Sequence, residues 1–233
     1  MQPDWRKGLL EQVVACAATF PGSVKIEPFG SSVTGDVDEW SDLDVRLVVS
    51  GEAFPRVFPA EDWLGALGDI WAISQWFDET SATTRLVFRD GRRLDLRFEI
   101  ENGAMPDISL AGEESPLAGL DGEFRFVAVL AIAKLARNDL LIGAHLVLEL
   151  ERMVLVVAML LRDRDLDTTT HRRGGPYNEV VRRIGGPGET AGDWLGRIER
   201  AMMVFGDLAR QLYSGWREDW GPLRGFLERA RSG

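Results

Sequence analysis

Two aspartates separated by one residue, Asp42 and Asp44, begin an apolar run that is typical of a β-strand. Because alternate residues of a strand point to the same side, the two carboxylates are expected to face one spot, roughly 6–7 Å apart at the backbone. Two anions this close repel each other unless a cation or a proton lies between them. Oxygen ligands suit Mg²⁺, which commonly shares its coordination sphere with substrate phosphates. The pair therefore predicts a metal–phosphate site.

A turn of small residues lies upstream of this pair. Residues 24–29 form a short β-branched and aromatic run that indicates a strand, and Gly30, Ser31 and Ser32 interrupt it. A strand that ends in a small-residue turn directs backbone N–H groups at an anion. Gly30 allows a phosphate to approach the backbone, and the Ser31 hydroxyl can donate to a phosphate oxygen. The turn predicts the phosphate half of the site, and Gly35 is expected to let the chain turn back toward the next strand.

A third carboxylate is predicted to join the pair. Residues 83–88 and 92–100 are strand-like runs joined by an Asp-Gly pair at 90–91, which is a hairpin signal. In the second run Asp95 and Glu99 alternate with apolar residues, so they share the face away from the core. Asp95 would supply a third ligand of the metal site. Glu99 lies about 13 Å further along this face, which is too far for the metal but suits an acceptor substrate. The alternative is a solvated outer face of the hairpin.

The turn and the aspartates form three motifs in order: Gly30-Ser31, Gly35 and Ser41-Asp42-x-Asp44. These motifs resemble the signature of the DNA polymerase beta-like nucleotidyltransferase superfamily. The resemblance implies that the Gly-Ser turn holds the triphosphate of ATP and that the Asp-x-Asp pair holds two Mg²⁺ ions. The chain departs from the pattern at Thr34, because many small antibiotic-modifying members carry an arginine just before the second glycine. A cation for the triphosphate must then come from elsewhere.

A polar loop in the second half offers such a cation. Residues 168–176 contain three threonines followed by His-Arg-Arg and Gly-Gly-Pro, a composition that favours a loop over a helix. Arg172 and Arg173 are candidates to bind the triphosphate, because a guanidinium forms bidentate hydrogen bonds with phosphate. The alternative is a surface loop between helices.

The charge balance bears on the partners. The 233 residues include 27 Lys and Arg against 37 Asp and Glu, which gives a net charge of −10. Because nucleic-acid binding requires a basic face, nucleic acid is not an expected partner. An acidic surface favours cationic small molecules instead. The sequence is compatible with a monomer or a homodimer.

The sequence gives no sign of a membrane or secreted protein. No run of 18 apolar residues is free of charges, and the N-terminus has no signal pattern. Cys16 is the single cysteine, which excludes a disulfide framework and a Cys-rich zinc site. We therefore expect a cytoplasmic protein that does not bind membranes.

Two domains with different secondary structure are expected, joined by a linker at 101–121 that is rich in Gly, Pro, Asp and Glu. Apolar residues recur at helical spacing in seven segments: 4–20, 61–69, 123–137, 139–163, 176–184, 189–213 and 217–231. We predict an α+β fold with a mixed β-sheet and flanking helices in a nucleotidyltransferase catalytic domain at 1–110. A C-terminal helical bundle at 121–233 would bind substrate or nucleotide, with the active site in the cleft between the two domains.

A polar stripe crosses the apolar helical pattern of the second half. Its members lie within about 40° either side of one line on a helical wheel: Lys134, Asn138, Ile142, His145, Glu149 and Arg152. Such a stripe needs water, a substrate or internal partners. It either lines the site or forms a satisfied network such as His145, Glu149 and Arg152. Alternatively, residues 138–139 end one helix and cap the next, which would place Lys134 on a separate element.

Three motifs of the second half extend the resemblance: Lys134-Leu-Ala-Arg137-Asn138-Asp139, His145-Leu-x-x-Glu149-Leu, and Arg162-Asp163 with His171-Arg172 nearby. They are similar to lincosamide and aminoglycoside nucleotidyltransferases, the streptomycin adenylyltransferases among them. In such enzymes a carboxylate near the acceptor hydroxyl acts as general base. Glu99 and Glu149 are rival candidates for this role.

Together, these observations predict Mg²⁺-dependent transfer of AMP from ATP to a hydroxyl of a small cationic acceptor such as an aminoglycoside or a lincosamide. Such an activity would confer antibiotic resistance. One alternative is a nucleotidyltransferase that acts on a metabolite or a protein hydroxyl, of the AMPylation or antitoxin type. Another is a non-catalytic sensor that binds nucleotide.

Overall fold

The computed structural model of the protein describes residues 5–20, 22–58, 61–78, 80–101, 116–167 and 176–233. The chain divides into two compact units, Met1–Glu113 and Glu114–Gly233. The first contains a mixed β-sheet with flanking helices, and the second is helical, so the predicted α+β class is confirmed.

The strands and short helices of the first unit alternate along the chain. In order they are α1 (Trp5–Ala17), β1 (Ser23–Phe29), α2 (Ser31–Thr34), β2 (Leu43–Val49), α3 (Phe54–Val57), α4 (Glu61–Leu64), β3 (Ile70–Phe77), β4 (Ser81–Phe88) and β5 (Arg93–Ile100). The helix predicted at 61–69 is shorter, because a 3₁₀ turn at Gly65–Leu67 follows α4 and Gly68 adopts a φ of +150°.

The five strands form one sheet in the order β1-β2-β5-β4-β3. Strands β2 and β5 pair in parallel, and the other neighbouring pairs are antiparallel. Because β2 and β5 are central and parallel, the residues at their N-terminal ends lie side by side at one edge of the sheet.

Strands β2 and β5 show the two-residue alternation that the sequence predicted. Their buried apolar side chains belong to one face: Leu43, Val45, Leu47, Val49, Leu94, Leu96 and Phe98. These side chains pack in one core with the buried face of α1 and with the rings of Phe54 and Phe58. The polar residues between them are consequently held on the opposite face of a rigid sheet.

The second unit is made of helices. In order they are α5 (Pro116–Ala136), α6 (Leu140–Leu166), α7 (Val180–Arg183), α8 (Ala191–Leu212) and α9 (Gly221–Ser232), with a 3₁₀ turn at Pro176–Glu179 before α7. The linker prediction at 101–121 is wrong at its C-terminal end, because α5 begins at Pro116. Proline suits the first turn of a helix, where its missing N–H has no partner to lose.

Helices α5 and α6 are separate elements. Asn138 has a left-handed φ of 58°, and the Asp139 side chain accepts a hydrogen bond from Ile142 N at 3.3 Å, which caps α6. Lys134 therefore belongs to α5, and the polar stripe does not run along one helix. None of the helices among the described residues is both long and apolar enough to span a membrane.

Candidate functional site

Three carboxylates converge at the edge of the sheet where β2 and β5 begin. Asp44 lies directly opposite Asp95 in the parallel pairing of β2 and β5, and Asp42 comes just before β2. One carboxylate oxygen of each residue lies within 4.8 Å of those of the other two. The structure thus brings together the three residues selected from the sequence, and their role as metal ligands stays a prediction.

The loop that carries Asp42 is fixed by hydrogen bonds. Asp38 N donates to Ser41 Oγ at 3.0 Å, while Asp38 Oδ1 accepts from Ser41 Oγ and from Trp40 N, each at 2.9 Å. Arg6 on α1 donates to the carbonyl oxygens of Asp38 at 2.7 Å and Ser41 at 2.6 Å. These contacts hold the residues directly before Asp42 in one conformation.

The small-residue turn lies against Asp44. Gly30 has a φ of +63°, a conformation that L side chains rarely adopt, and a Cβ atom there would lie 3.0 Å from Asp44 Cγ. The Ser32 hydroxyl oxygen is buried and has no hydrogen-bond partner among the described residues. Gly35 ends α2 in the left-handed conformation, as predicted for the return of the chain. The turn therefore places the backbone of Gly30 against Asp44, and the same turn carries a buried hydroxyl without a partner in the described part of the chain.

The carboxylates are strained electrostatically. The pKa of Asp44 is raised from 3.8 to about 6, first because burial disfavours the charged form and second because Asp42 is close. Burial also raises the pKa of Asp95 to about 7, again with a contribution from Asp42. A group of half-buried, mutually repelling carboxylates favours a bound cation or a proton.

Two arginines, Arg85 and Arg93, lie near the carboxylates. Their positive charges act to lower the pKa of Asp44 and of Asp95, but the effect of burial is larger, so both pKa values stay raised. Arg85 on β4 pairs directly with Asp95, and its Nε lies 3.2 Å from Asp95 Oδ2. Arg93 is buried at the start of β5 and donates to the carbonyl oxygen of Trp40. The site therefore combines three acidic groups with two guanidinium groups.

The donor set fits Mg²⁺. Asp42, Asp44 and Asp95 offer oxygen ligands, which Mg²⁺ prefers, and they provide fewer protein ligands than its octahedral sphere requires. The remaining positions suit water and phosphate. The Ser32 hydroxyl, which lacks a partner among the described residues, could donate to a phosphate oxygen.

Glu99 lies four residues after Asp95 on β5. Its Oε1 lies 3.0 Å from Arg97 Nε and 3.5 Å from Arg46 Nε. The NH1 atom of Arg46 also lies 3.4 Å from Oε1 of Glu27. Glu99 is therefore on the same sheet face as Asp95, as predicted, and two guanidinium groups fix its position.

Comparisons with known proteins identify no family for this chain. No protein-family model matches the chain, and no curated protein matches it. Among solved structures, the chain is similar to an aminoglycoside 6-adenyltransferase from Bacillus subtilis, with 12% identity over 97% of each chain and a TM-score of 0.34. A structure of the GLD-2/RNP-8 complex matches with 14% identity over 90% of this chain and 76% of the other, at a TM-score of 0.26. Similarity at this level establishes neither fold nor activity.

The polar residues predicted to form a stripe in the second unit have contacts within that unit. Glu149 Oε2 accepts from Arg152 Nε at 2.7 Å in an i,i+3 pair, and Arg152 is exposed. His145 is exposed on the same helix. Lys134 Nζ lies 4.0 Å from Asp139 Oδ2. Part of the predicted network, the Glu149–Arg152 pair, therefore forms at the surface of α6.

The predicted triphosphate cations, Arg172 and Arg173, lie outside the described residues, so their role stays a prediction. Thr34, at the position where an arginine was expected, is exposed, and its Oγ1 lies 3.5 Å from Ser31 O.

The sequence interpretation missed the arginines that contact the site, Arg6, Arg85 and Arg93. Arg85 had only a weak signal, as a polar residue of the first predicted hairpin strand, because a two-residue Asp-Gly loop would place Leu86 rather than Arg85 opposite Asp95. Arg6 had none, because 35 residues separate it from Ser41.

A buried ion pair in the second unit was also not predicted from the sequence. Arg197 on α8 binds Glu151 on α6 through Nε–Oε1 at 2.8 Å and NH2–Oε2 at 2.6 Å. Gly185 N donates to the same Oε1 at 3.0 Å, and the Trp194 ring lies 4.3 Å from Arg197 Cζ. The pair joins the two helices and belongs to the framework of this unit.

Proposed function

We propose that this protein is a nucleotidyltransferase that moves AMP from ATP to a hydroxyl of a small molecule. One observation carries the proposal: three carboxylate oxygens lie within 4.8 Å of one another, beside a glycine turn whose buried Ser32 hydroxyl has no partner in the part of the chain that the structure describes. Burial and the nearby Asp42 raise the pKa of Asp44 and of Asp95, so these two groups favour a bound cation, and Mg²⁺ would in turn bind the phosphates of a nucleotide.

Each part of the site has a role in this reaction. Asp42, Asp44 and Asp95 would hold up to two Mg²⁺ ions, which supply Lewis-acid stabilisation of the charge on the reacting phosphate. The Gly30 backbone would approach the β- and γ-phosphates, and the hydroxyls of Ser31 and Ser32 would donate to their oxygens. These residues orient the α-phosphorus rather than react with it.

The proposed AMP transfer is an in-line displacement at the α-phosphorus of ATP. The oxygen of the acceptor hydroxyl forms a bond to the α-phosphorus, and the bond from the α-phosphorus to the bridging oxygen breaks, which releases pyrophosphate. The hydroxyl proton must go to a base, since a hydroxyl is too weak an acid to react unaided at neutral pH. Glu99 and Glu149 are the two candidates, and we favour Glu99 because it shares the sheet face of Asp95.

A small cationic compound with hydroxyl groups is the proposed acceptor, and aminoglycosides and lincosamides are examples. The net charge of −10 supports this choice, because an acidic surface attracts cations and repels nucleic acid. The affinity of such an acceptor is expected to fall as salt rises.

Incubation of the protein with ATP labelled at the α-phosphate, Mg²⁺ and a panel of aminoglycosides, lincosamides, metabolites and proteins tests the proposal. The label is expected on a small-molecule acceptor, with one pyrophosphate released per transfer. Asp44→Asn should abolish turnover, whereas Asp36→Asn changes an exposed carboxylate of the same loop and should leave it unchanged. Label on a protein would select the AMPylation alternative.

Nucleotide binding without transfer to any acceptor would select the sensor alternative and contradict the proposed activity. Expression in a susceptible bacterium tests the antibiotic class directly. Protection against one drug class, lost in Asp44→Asn, is the expected result. No protection together with no AMP transfer to either class in vitro would remove antibiotics as acceptors.

A further inference from the structure

An exposed tryptophan lies on the same sheet face as the carboxylates. Trp76, near the end of β3, is 41% exposed, although large aromatic side chains are usually covered in a folded protein. The Cζ atom of Arg85 lies 5.7 Å from the Trp76 ring, and Arg85 Nε lies 3.2 Å from Asp95. A chain of direct neighbours therefore leads from the carboxylates to an open indole ring.

The strand register gives the position of this ring. Asp95 pairs with Arg85, and Arg85 pairs with Ser74, two residues before Trp76 on β3. Strand spacing and rise then place Trp76 roughly 12 Å from Asp95 at the backbone. Trp76 pairs with Thr83, whose partner on β5 lies midway between Asp95 and Glu99. Along the strand direction, Trp76 thus lies level with the point midway between Asp95 and Glu99 on β5.

The geometry of phosphoryl transfer decides which side of the carboxylates the acceptor occupies. The attacking and leaving oxygens lie roughly in line on opposite sides of the phosphorus. In the proposed function the leaving pyrophosphate is held by the turn after β1, beside Asp44. Because the sheet order is β1-β2-β5-β4-β3, the opposite side is that of β4 and β3. Trp76 lies on that side.

We propose that Trp76 forms an acceptor subsite in which the indole stacks against a saturated, hydroxylated ring of the acceptor. This inference rests on the proposed function for the direction of attack. The C–H bonds of such a ring carry partial positive charge and pack well on the electron-rich face of an indole. Its hydroxyl groups extend sideways toward Asp95 and Glu99. A pyranose or an aminocyclitol has this chemistry.

Arg85 is a positioning residue in this subsite. Its guanidinium lies between the Asp95 carboxylate and the indole, and the attraction of a cation to the ring face fixes the orientation of Trp76. The ring surface that remains exposed is then the surface offered to the acceptor.

Saturation-transfer NMR tests the subsite with three probes that contain hydroxylated rings: streptomycin, lincomycin and methyl glucopyranoside. The measurements use the full chain with Mg²⁺ and a non-hydrolysable ATP analogue. The wild type should transfer saturation to the ring protons of at least one probe. Trp76→Ala should weaken that binding about tenfold, and Trp76→Phe, which keeps an aromatic face, should restore most of it.

Phe77→Ala is the matched control. Phe77 is the next residue on β3 and is 42% exposed, but it pairs with the buried Ala82 and therefore faces the other side of the sheet. It should bind the probes as the wild type does, and all four proteins should bind the ATP analogue equally. Equal effects of Trp76→Ala and Phe77→Ala, or no ring-proton signal from any probe in the wild type, would overturn the inference.

The outcome also separates this inference from the proposed function. If the wild type releases no pyrophosphate with any acceptor but loses probe binding in Trp76→Ala, the ring subsite stands and the activity fails. If turnover is present and Trp76→Ala leaves probe binding and the KM for the acceptor unchanged, the activity stands and the subsite fails.

Discussion

The backbone of Gly30 lies directly against the carboxylate of Asp44, so that a Cβ atom at residue 30 would overlap Asp44 Oδ2 and lie 3.0 Å from Cγ. This contact joins the Gly30–Ser32 turn to the Asp42/Asp44 pair, although Gly30 and Asp44 are 14 positions apart in sequence. A side chain at residue 30 must displace either the turn or the carboxylate.

Gly30→Ala is therefore expected to weaken the binding of Mg²⁺ and of an ATP analogue at least about tenfold, as measured by titration calorimetry. Gly35→Ala is the matched control, because Gly35 also has a positive φ, +84°, but its Cβ would meet nothing within 4 Å. Gly35→Ala should lose about 1–2 kcal/mol of stability from its left-handed backbone, and Gly30→Ala should lose more, because its Cβ would also overlap Asp44. Equal ligand affinities in the two variants would show that the contact with Asp44 is unimportant for binding.

The raised pKa values of Asp44 and Asp95 predict a pH-dependent stability of the metal-free protein. In the unfolded chain both groups ionise near 3.8, whereas in the folded protein they ionise near about 6 and about 7. Between these limits the folded state binds more protons than the unfolded state, so the free energy of unfolding should fall as the pH rises from 4 to 7. Urea unfolding with a chelator, at intervals across this range, measures the slope.

Asp95→Asn cannot ionise, so it should lose less stability than the wild type across the same range. Burial also raises the pKa of Asp121 in the second unit, which adds a slope of the same sign to both proteins. The difference between the two proteins isolates the contribution of Asp95. Saturating Mg²⁺ should remove most of that difference in slope by stabilising the ionised carboxylate. A pH dependence of Asp95→Asn that matches that of the wild type would contradict the assignment, because the other carboxyl groups contribute equally to both proteins.

Much of the sheet could be predicted, because its polar and apolar residues alternate with a period of two. That alternation placed Asp95 on the face of Asp44 before the strand order was known. The partner of Asp95 was harder to predict, since a two-residue Asp-Gly loop would pair Arg89 with Arg92 and put Asp95 opposite Leu86. The actual loop has three residues, with Phe88 N donating to Arg92 O and Gly91 at a φ of 90°. This longer loop is what brings Arg85 to Asp95.

The helical unit was predicted less well. The segment before residue 121 has the composition of a linker, yet α5 begins at Pro116 and buries Leu117. Here burial in the tertiary structure prevails over local composition. The pair of Glu151 and Arg197 could not be predicted, because 46 residues separate them and no local spacing connects them.

Glu99→Gln and Glu149→Gln separate the two candidate bases. Each change keeps the shape of the side chain and removes its ability to accept a proton. If Glu99 is the base, Glu99→Gln should lower kcat about 100-fold with little change in the affinity for the ATP analogue. Glu149→Gln should then have nearly wild-type kcat. Steady-state rates with a pH profile check this, because loss of the base should remove the acidic limb of the profile.

The reverse pattern would assign the base to Glu149. Normal rates in both variants would eliminate both residues and leave the proton to the metal site.

The buried pair of Glu151 and Arg197 predicts a large effect on stability that is unrelated to the carboxylate site. Both side chains are only 10% exposed, so Glu151→Gln would leave the charge of Arg197 buried without its partner. The expected loss is about 3–5 kcal/mol in the unfolding of the second unit. Glu149→Gln is the control, since it breaks a solvent-exposed pair two residues away on the same helix and should cost less than about 1 kcal/mol. Urea unfolding followed by tryptophan fluorescence reports this directly, because Trp194 stacks on Arg197. Equal losses in the two variants would mean that Glu151 contributes no more than a surface charge.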